Sequence, residues 1–498
     1  MLFEHLAPLD VSIVAIYLVT TVVLGTWFAR RQRDMTTYFV GNRSVNSGLV
    51  LISIVATETS TVTFLSVPGL AFNPIDGNLA FLQLAIGYLI GRCVIAWLLL
   101  PQYLNGELLT AYQLLRQKFN STVQRTASAI FMITRTSADG MRLYLTALLL
   151  KQFAGWDITV SVLVMGIATL VYTYLGGIEA VIWTDVIQFA VYMIGAMIAA
   201  GFILGRLHGG WESYLHMGTA AGKFSLFDFT FDPKRPFTFW AGLIGGGLFT
   251  MASHGADQLM VQRYLCARSV RSAQVALIGS GMVVFVQFLL FLLIGVGLFV
   301  LWQQGLLALP EDVVKRGDEV FGYFIVRDLP SGVIGLLIAA VLAAAMSTLS
   351  ASLNSLANAS VNDFYRPLRP NQEERHYLHL SRVMTSLWGI GQISVALLAA
   401  AWLERSVIEM VLSIAGITTG SILGLFLLGR IPRPIGSTAA LIGLLGGFLA
   451  VLVVWLPTML GTPILAWPWF APVGASTTVL VALVSDQLKR VWEPRSVS

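Results

Sequence analysis

The chain is dominated by apolar runs that are long enough to cross a lipid bilayer. A helix needs about 20 apolar residues to span roughly 30 Å of hydrocarbon. Runs of this kind begin near residues 10, 46, 80, 126, 157, 180, 238, 273, 331, 380, 407, 437 and 468. The sequence therefore predicts an all-α integral membrane protein with about thirteen transmembrane helices.

Composition agrees with a single membrane domain. Of the 498 residues, 56% are hydrophobic and only 11% are charged, far from the usage of a soluble domain. The first apolar run, near residues 10–29, has no small-residue cleavage site after it, so we do not expect a secretory signal peptide. Cys93 and Cys266 stand in apolar or cytoplasmic-looking contexts and predict neither a disulfide nor a metal site.

Basic residues orient the helices. They concentrate in alternating loops, near residues 30–43, 116–125, 263–271, 366–382, 430–433 and 489–495, and are about half as frequent in the opposite loops. The positive-inside rule places these loops in the cytoplasm. We expect a multi-pass protein of the cell membrane, with its N-terminus outside and its C-terminus inside.

The segment YTYLGGIEAVIWTDVIQ, residues 172–188, places Glu179 and Asp185 at membrane depth. A charge there costs several kcal/mol unless it is paired, coordinates an ion or lies in a water-filled cavity. The glycine pair Gly176-Gly177 interrupts the helical pattern and predicts two spans that meet at a tight turn. Spans, a turn and a buried acid together are typical of a transporter.

Two spans look broken. The second contains the polar run 56–61 followed by Pro68-Gly69, and the seventh contains three glycines at 245–247 before Ser253-His254-Gly255. Broken helices five spans apart indicate an inverted five-helix repeat, with the solute bound near the midplane at the breaks. We expect an extra helix at 10–30, repeats at 46–207 and 238–430, and two final helices at 437–490, within one domain of residues 1–498.

Oxygen ligands for a hard cation cluster in two spans. Seven hydroxyl side chains and the carboxylate of Glu58 lie between Ser53 and Ser66, where an unwound turn would also free backbone carbonyls. A structural interpretation competes for each hydroxyl, which can bond to a carbonyl of its own helix. In the ninth span Ala344, Ser347 and Thr348 share one helical face, so one carbonyl and two hydroxyls there can face the broken helix.

The fourth span carries Arg135, Asp139 and Arg142 on one face. Asp139 can pair with either arginine, which leaves one positive charge in excess and favours a solute with a carboxylate. Arg92 of the third span is expected near a helix end, where its head group reaches the interface, and has no assigned role. His254 is a candidate for hydrogen bonding to the solute.

At three motifs the chain resembles the sodium:solute symporter family, which includes sialic acid, proline, sodium/glucose and monocarboxylate transporters. The segment GGIEAVIWTDVIQ resembles the family's glycine-pair and WTD segment. Residues 257–263, DQLMVQR, resemble its DQxxVQR stretch, and Leu353-Asn354-Ser355 with Asp363-Phe364-Tyr365 resembles the end of its sodium-binding helix. The resemblance covers roughly residues 10–430.

The resemblance implies a LeuT-like fold and Na⁺ as the coupling ion. It implies a main sodium site formed by Ala56, Thr59, Ala344, Ser347 and Thr348. It implies a role in coupling, in some members through a second ion site, for Asp185, and we add Glu58 and Ser350 as further candidates. Ser60, Thr61 and Thr63 join Arg135, Arg142 and His254 as candidate solute ligands. One departure concerns the carboxylate-binding arginine of sialic acid transporters, because this chain has Ala138 at that position.

We therefore predict a Na⁺-coupled symporter that imports an organic acid or zwitterion by alternating access within the lipid bilayer. No nucleic-acid or obligate protein partner is indicated. Symport of a neutral sugar or polyol is the alternative, and a transporter-like membrane sensor is another class. An enzyme is not expected, because the six histidines are scattered and no phosphate-binding loop is present. Broken helices with a discrete site argue against a passive channel.

Overall fold

The computed structural model describes residues 6–27, 34–106, 108–317, 319–402 and 407–492, and regular structure in these ranges is almost entirely helical. The first half contains α1 (Pro8–Trp27), α2 (Met35–Val40), α3 (Ser47–Glu58), α4 (Thr61–Phe72), α5 (Leu82–Leu98), α6 (Leu100–Asn105), α7 (Gln113–Lys118), α8 (Ser121–Ala154), α9 (Ile158–Arg206) and α10 (Gly210–Ala220). The second half contains α11 (Gly247–Gly255), α12 (Gln258–Leu265), α13 (Val270–Gln303), α14 (Glu311–Arg316), α15 (Val320–Asp328), α16 (Val333–Ala359), α17 (Arg366–Leu368), α18 (Glu374–Trp402), α19 (Val407–Leu428), α20 (Ser437–Met459) and α21 (Phe470–Trp492).

The helices begin close to the predicted starts. For example, α18 was expected near residue 380 and begins at Glu374, whereas the start expected near residue 180 lies inside α9. Within the described ranges, eight helices are long and apolar enough to cross a membrane, and a bent pair raises this number to nine. The all-α membrane architecture is confirmed, while the count of about thirteen spans and the division into two repeats stay predictions.

Helix α9 has 49 residues and contains the turn that the glycine pair predicts. Gly177 has φ 59° and ψ −157°, which departs from helical geometry and divides α9 into two segments. A side chain there would be strained by the positive φ, and its Cβ would lie 2.8 Å from the carbonyl oxygen of Tyr38. Glycine therefore allows the chain to bend and to pack against α2 at the same point.

The break in the second span lies between α3 and α4, which meet at an angle of 68°. Thr59 ends α3 in an extended conformation with φ −80° and ψ 102°, and Ser60 caps the N-terminus of α4 by accepting a hydrogen bond from the Thr63 amide. The last carbonyls of α3 and the first amides of α4 have no partner within their own helices. The break predicted for residues 56–61 is thus present, and it brings two helix ends together.

The seventh span is interrupted later than expected. The glycines at 245–247 do not unwind the chain, because a π-helical turn, Ala241–Gly246, continues directly into α11. They instead belong to a close helix contact with α5, in which a Cβ on Gly91 would lie 2.4 Å from the Gly247 carbonyl oxygen. The interruption comes at Ala256 and Asp257, and Asp257 caps α12 by accepting from the Leu259 amide.

Helix α16 lies at the centre of the fold. In its apolar window 89% of the residues are buried, and every residue from Leu337 to Ala359 is buried. Neighbouring helices hold it by polar contacts, such as the bond from the Tyr172 hydroxyl to the Met346 carbonyl at 3.1 Å. A helix that is buried on all sides has its hydroxyl groups facing other helices, which makes Ser347 and Thr348 available for a site within the protein.

Candidate functional site

Asp185 is the centre of a buried polar cluster that joins four helices. Its Oδ2 atom accepts from Ser53 Oγ at 2.5 Å, from Arg263 Nη2 at 3.2 Å and from Thr57 Oγ1 at 3.4 Å. Its Oδ1 atom accepts from Ser347 Oγ at 2.8 Å. The carboxylate is fully buried, so Arg263, an ion-pair partner 78 residues away in sequence, supplies the compensating charge.

The hydroxyl face predicted for the ninth span points at the break in the second span. Thr348 Oγ1 donates to the Thr57 carbonyl at 3.0 Å and approaches the Ala344 carbonyl at 3.4 Å. Ser347, one residue earlier, faces Asp185. The end of α3 and one face of α16 therefore come together, as the spacing of Ala344, Ser347 and Thr348 indicated.

The other predicted sodium ligands lie around this contact. Ala56 and Thr59 are buried at the last turn of α3, and Thr59 Oγ1 donates to the Val55 carbonyl and accepts from Gln287. Ser350 lies one turn after Ser347 and donates to its carbonyl at 3.1 Å. The carbonyl of Thr57, which the sequence reasoning did not select, is the α3 oxygen that α16 contacts directly.

Three candidate solute ligands line one cleft beside Thr348. The lining of this cleft includes Ser60, Thr61, Arg142, Thr146 and Thr348. Thr146 Oγ1 donates to Thr61 Oγ1 at 3.0 Å, which ties α8 to the start of α4. Thr63 lies next to this wall, with its hydroxyl 3.3 Å from that of Ser60. The structure thus brings a guanidinium and several hydroxyls to the N-terminus of α4.

Arg135 lies in a different cleft, whose lining includes Tyr112, Asp257 and Thr418. Its main ion-pair partner is Asp257, while its Nη1 is 3.7 Å from Asp139 Oδ1. Arg142 Nη1 pairs with Asp139 Oδ1 at 2.7 Å. The prediction of one excess positive charge on this face is therefore wrong, because Asp257 from another helix balances Arg135.

Glu58, Arg92 and His254 form a second buried charge cluster. Arg92 has no exposed surface and pairs with Glu58, while its Nη1 donates to Ser280 Oγ at 2.7 Å and its Nη2 is 3.1 Å from His254 Nε2. The expectation that Arg92 reaches the interface is wrong, since it lies in the middle of α5. Among the described residues the ion pairs of Glu58 and His254 are within this cluster, and neither residue lines the cleft that contains Arg142.

We expect Glu58→Gln to lower the stability of the folded protein. The buried guanidinium of Arg92 would lose its carboxylate, and breaking a buried pair costs about 3 kcal/mol, reduced here because the Glu58 side chain is 15% exposed. Thermal unfolding in detergent measures the effect. Glu311→Gln is the matched control, because the Glu311–Lys315 pair at 2.6 Å is largely exposed and should contribute little. If Glu58→Gln and Glu311→Gln shift the melting temperature equally, the cluster of Glu58, Arg92 and His254 does not stabilise the fold.

Comparison with known proteins gives a family match over most of the chain. The model of the sodium:solute symporter family matches residues 38–447. A sodium/sialic acid symporter, SiaT, from Proteus mirabilis is 30% identical over 88% of this chain and 87% of its own length. The human sodium-coupled monocarboxylate transporter 2 is 29% identical over 85% of this chain and 68% of its own length. The human sodium/iodide cotransporter is also 29% identical, over 91% of this chain and 70% of its own length.

Solved structures give the same result for the fold. A substrate-bound, outward-open Na⁺-coupled sialic acid symporter superimposes with a TM-score of 0.87 at 26% identity, covering 97% of this chain and 98% of that one. A transporter of the nucleobase-cation-symport-1 family in a closed conformation has a TM-score of 0.51 at 13% identity. The second likeness, at this low identity, concerns the fold alone.

Proposed function

Because the chain belongs to the sodium:solute symporter family, we propose that it imports a small organic acid together with Na⁺ by alternating access. The observation that carries this proposal is the meeting of the α3 end with Ser347 and Thr348, next to a cleft that contains Arg142. In transporters of this architecture, unwound carbonyls and half-helix C-termini coordinate Na⁺, while half-helix N-termini face the anionic group of the solute.

The main sodium site lies between α3 and α16. Ser347 and Thr348 contribute two hydroxyl oxygens, and Ala344 and the last turn of α3 contribute carbonyl oxygens, including those of Ala56 and Thr59. The C-terminal end of α3 carries a partial negative charge that favours a cation. All these ligands are neutral, so the ion is held weakly enough to leave again when the site opens.

The solute carboxylate lies at the N-terminus of α4. The free amides of its first turn and the positive end of its dipole favour an anion. Arg142 Nη1 uses one donor for Asp139, and a guanidinium has five. Its remaining donors can bind a carboxylate, while Ser60, Thr61 and Thr146 bind further polar atoms of the solute.

We expect Arg142→Gln to lower solute affinity about tenfold or more, since a charge-assisted hydrogen bond contributes roughly 1.5–3 kcal/mol. Sodium binding should be retained, because the α3–α16 contact is untouched. Isothermal titration of the purified protein with the solute, and separately with Na⁺, measures both. Arg135→Gln is the comparison, with a smaller expected effect because Arg135 lies in the other cleft. A larger loss of affinity in Arg135→Gln would move the carboxylate site to that cleft.

Symport of a neutral sugar or polyol is a second candidate function. It is favoured by the ion pairs of Arg135 and Arg142, each of which has an aspartate partner, and by the hydroxyls that line the cleft. A thermal-shift screen of carboxylates, amino acids and sugars in Na⁺ and in K⁺ distinguishes the two. If an uncharged sugar stabilises the protein and no carboxylate does, the organic-acid proposal is wrong and the solute is neutral.

Transport itself is tested in proteoliposomes, with the N-terminus proposed outside the cell and the C-terminus in the cytoplasm. A membrane potential of 100 mV contributes about 2.3 kcal/mol per Na⁺ ion to uptake, in addition to the Na⁺ concentration gradient. We expect solute counterflow that requires Na⁺. If counterflow is as fast in K⁺ as in Na⁺, transport is not coupled to Na⁺. Solute binding without any counterflow would favour the membrane sensor.

Relatives are transporters, and we propose that this chain has no enzymatic activity.

A further inference from the structure

The segment of residues 225–236, here called the aromatic segment, exposes the wrong side chains for a loop in water. It forms neither helix nor strand and leads from α10 into the seventh span. Its three phenylalanines, Phe227, Phe229 and Phe231, are 50%, 64% and 67% exposed. The side chain of Asp228, between the first two, is only 22% exposed. A loop in water normally exposes its carboxylates and covers its rings, so these rings require a partner other than water.

The exposed rings belong to one surface that continues onto two helices. Neighbouring ring centroids on this surface are 5.1 to 6.5 Å apart. Trp240 directly precedes the π-helical turn of the seventh span, and Trp469 directly precedes α21, which is apolar and long enough to cross a membrane. The surface comprises Phe227, Phe229, Phe231, Phe239, Trp240 and Trp469. It therefore adjoins the part of the protein that lipid surrounds.

Hydrogen bonds hold the aromatic segment in this position. The Asp228 amide donates to Gln83 Oε1, in the first turn of α5, at 3.1 Å. The Phe239 amide donates to the Asp228 carbonyl at 2.7 Å, and the Ala466 amide donates to the Pro233 carbonyl at 2.8 Å. The segment is thus fixed to the ends of α5, the seventh span and α21 on the proposed outer side. Its backbone is held by the protein, while its rings face outward.

The chemistry of the surface fits phospholipid better than another protein. Aromatic rings at the ends of membrane-crossing helices occupy the layer between water and hydrocarbon. Lys234 and Arg235 follow the rings and are exposed, and basic side chains beside apolar surface place their charges at the level of the lipid phosphates. A protein partner would have to displace the lipid around the ends of α5 and α21 before it could reach the rings.

We propose that the aromatic segment lies in the interfacial layer of the outer leaflet and binds phospholipid. Its rings lie among the upper parts of the acyl chains, and Lys234 and Arg235 lie at the phosphates. Apolar side chains of interfacial segments reach about 5–10 Å into the boundary between headgroups and acyl chains. The segment then keeps the attached ends of α5, the seventh span and α21 at a common depth, whatever solute the protein carries.

The test places a nitroxide spin label on Thr230→Cys, because Thr230 is exposed between Phe229 and Phe231. Cys93→Ser removes one native thiol, and Cys266 can stay because it is fully buried. In phosphatidylcholine vesicles, power saturation compares collisions with oxygen, which concentrates in lipid, and with a water-soluble nickel complex. We expect the label to be immersed by about 5–10 Å. The same label on Glu311→Cys, a position that is 84% exposed on the same proposed side, should collide mainly with the nickel complex.

Serine at Phe227, Phe229 and Phe231 together tests the rings directly, with Phe229→Ser alone as a second variant. The label and its position stay the same, so the triple variant should shift the Thr230 label to the water accessibility of the Glu311 label. The melting temperature in detergent should change little, because exposed side chains contribute little to stability. A Thr230 label that is as accessible to nickel as the Glu311 label overturns the proposal and leaves the rings free for another protein. A label that stays immersed in the triple variant also overturns it, and neither result affects the proposed symport.

Discussion

Replacing Ser347 and Thr348 together with alanine is expected to lower the apparent Na⁺ affinity by an order of magnitude or more. The double variant removes two of about five oxygen ligands of the proposed main site, and each tenfold change in affinity corresponds to 1.4 kcal/mol. High Na⁺ should restore uptake only in part, because Ser347 also bonds to Asp185. The measurement is Na⁺-dependent solute uptake in proteoliposomes, together with Na⁺-dependent thermal stabilisation in detergent.

Ser355→Ala is the matched control for the double variant. Ser355 is also buried on α16, but its hydroxyl donates to the Ser352 carbonyl of its own helix at 2.9 Å. We expect its Na⁺ dependence to equal that of the wild type. If the double variant also keeps wild-type Na⁺ dependence, the main ion site does not lie on this face of α16.

Asp185→Asn is expected to abolish most of the Na⁺-coupled uptake. The amide keeps the size of the side chain and removes the charge that binds either a cation or Arg263. Because Arg263 is 1% exposed, its uncompensated charge should also lower the stability of the fold by about 3–5 kcal/mol. Uptake per folded protein, with the folded amount measured by size-exclusion chromatography, separates the two effects.

The double variant Asp185→Asn with Arg263→Gln removes both charges of the pair. It should regain much of the stability that Asp185→Asn loses, since no unpaired charge remains buried. It should not regain Na⁺-coupled uptake if the carboxylate has a role in coupling. Normal coupled uptake by this double variant would reduce Asp185 to the counter-ion of Arg263.

Local patterns in the sequence predicted the parts of the fold and candidate site that depend on neighbouring residues. Apolar runs located the helices, and the pair Gly176-Gly177 located the turn inside α9, because a positive φ needs glycine. The spacing of Ala344, Ser347 and Thr348 predicted a shared face, and the structure directs that face to the end of α3. Whether these residues bind Na⁺ stays a prediction.

Partners that are distant along the chain were not predictable in this way. Asp257 pairs with Arg135 across 122 positions, and Arg92 meets His254 across 162. Helical periodicity shows which residues share a face and gives no information on which other helix packs against it. For the same reason the sequence indicated an excess charge on α8 and assigned no partner to Arg92.

Thr348 belongs to two surfaces at once, since its hydroxyl bonds to the end of α3 and its side chain lines the cleft that contains Arg142. Binding of Na⁺ and binding of the solute are then thermodynamically linked. If Na⁺ raises the affinity for the solute by a given factor, the solute raises the affinity for Na⁺ by the same factor. Such factors are typically about 5–150-fold. A half-loaded transporter would then be a sparsely populated species, and leakage of either ligand alone would be suppressed by equilibrium as well as by closure of the pathway.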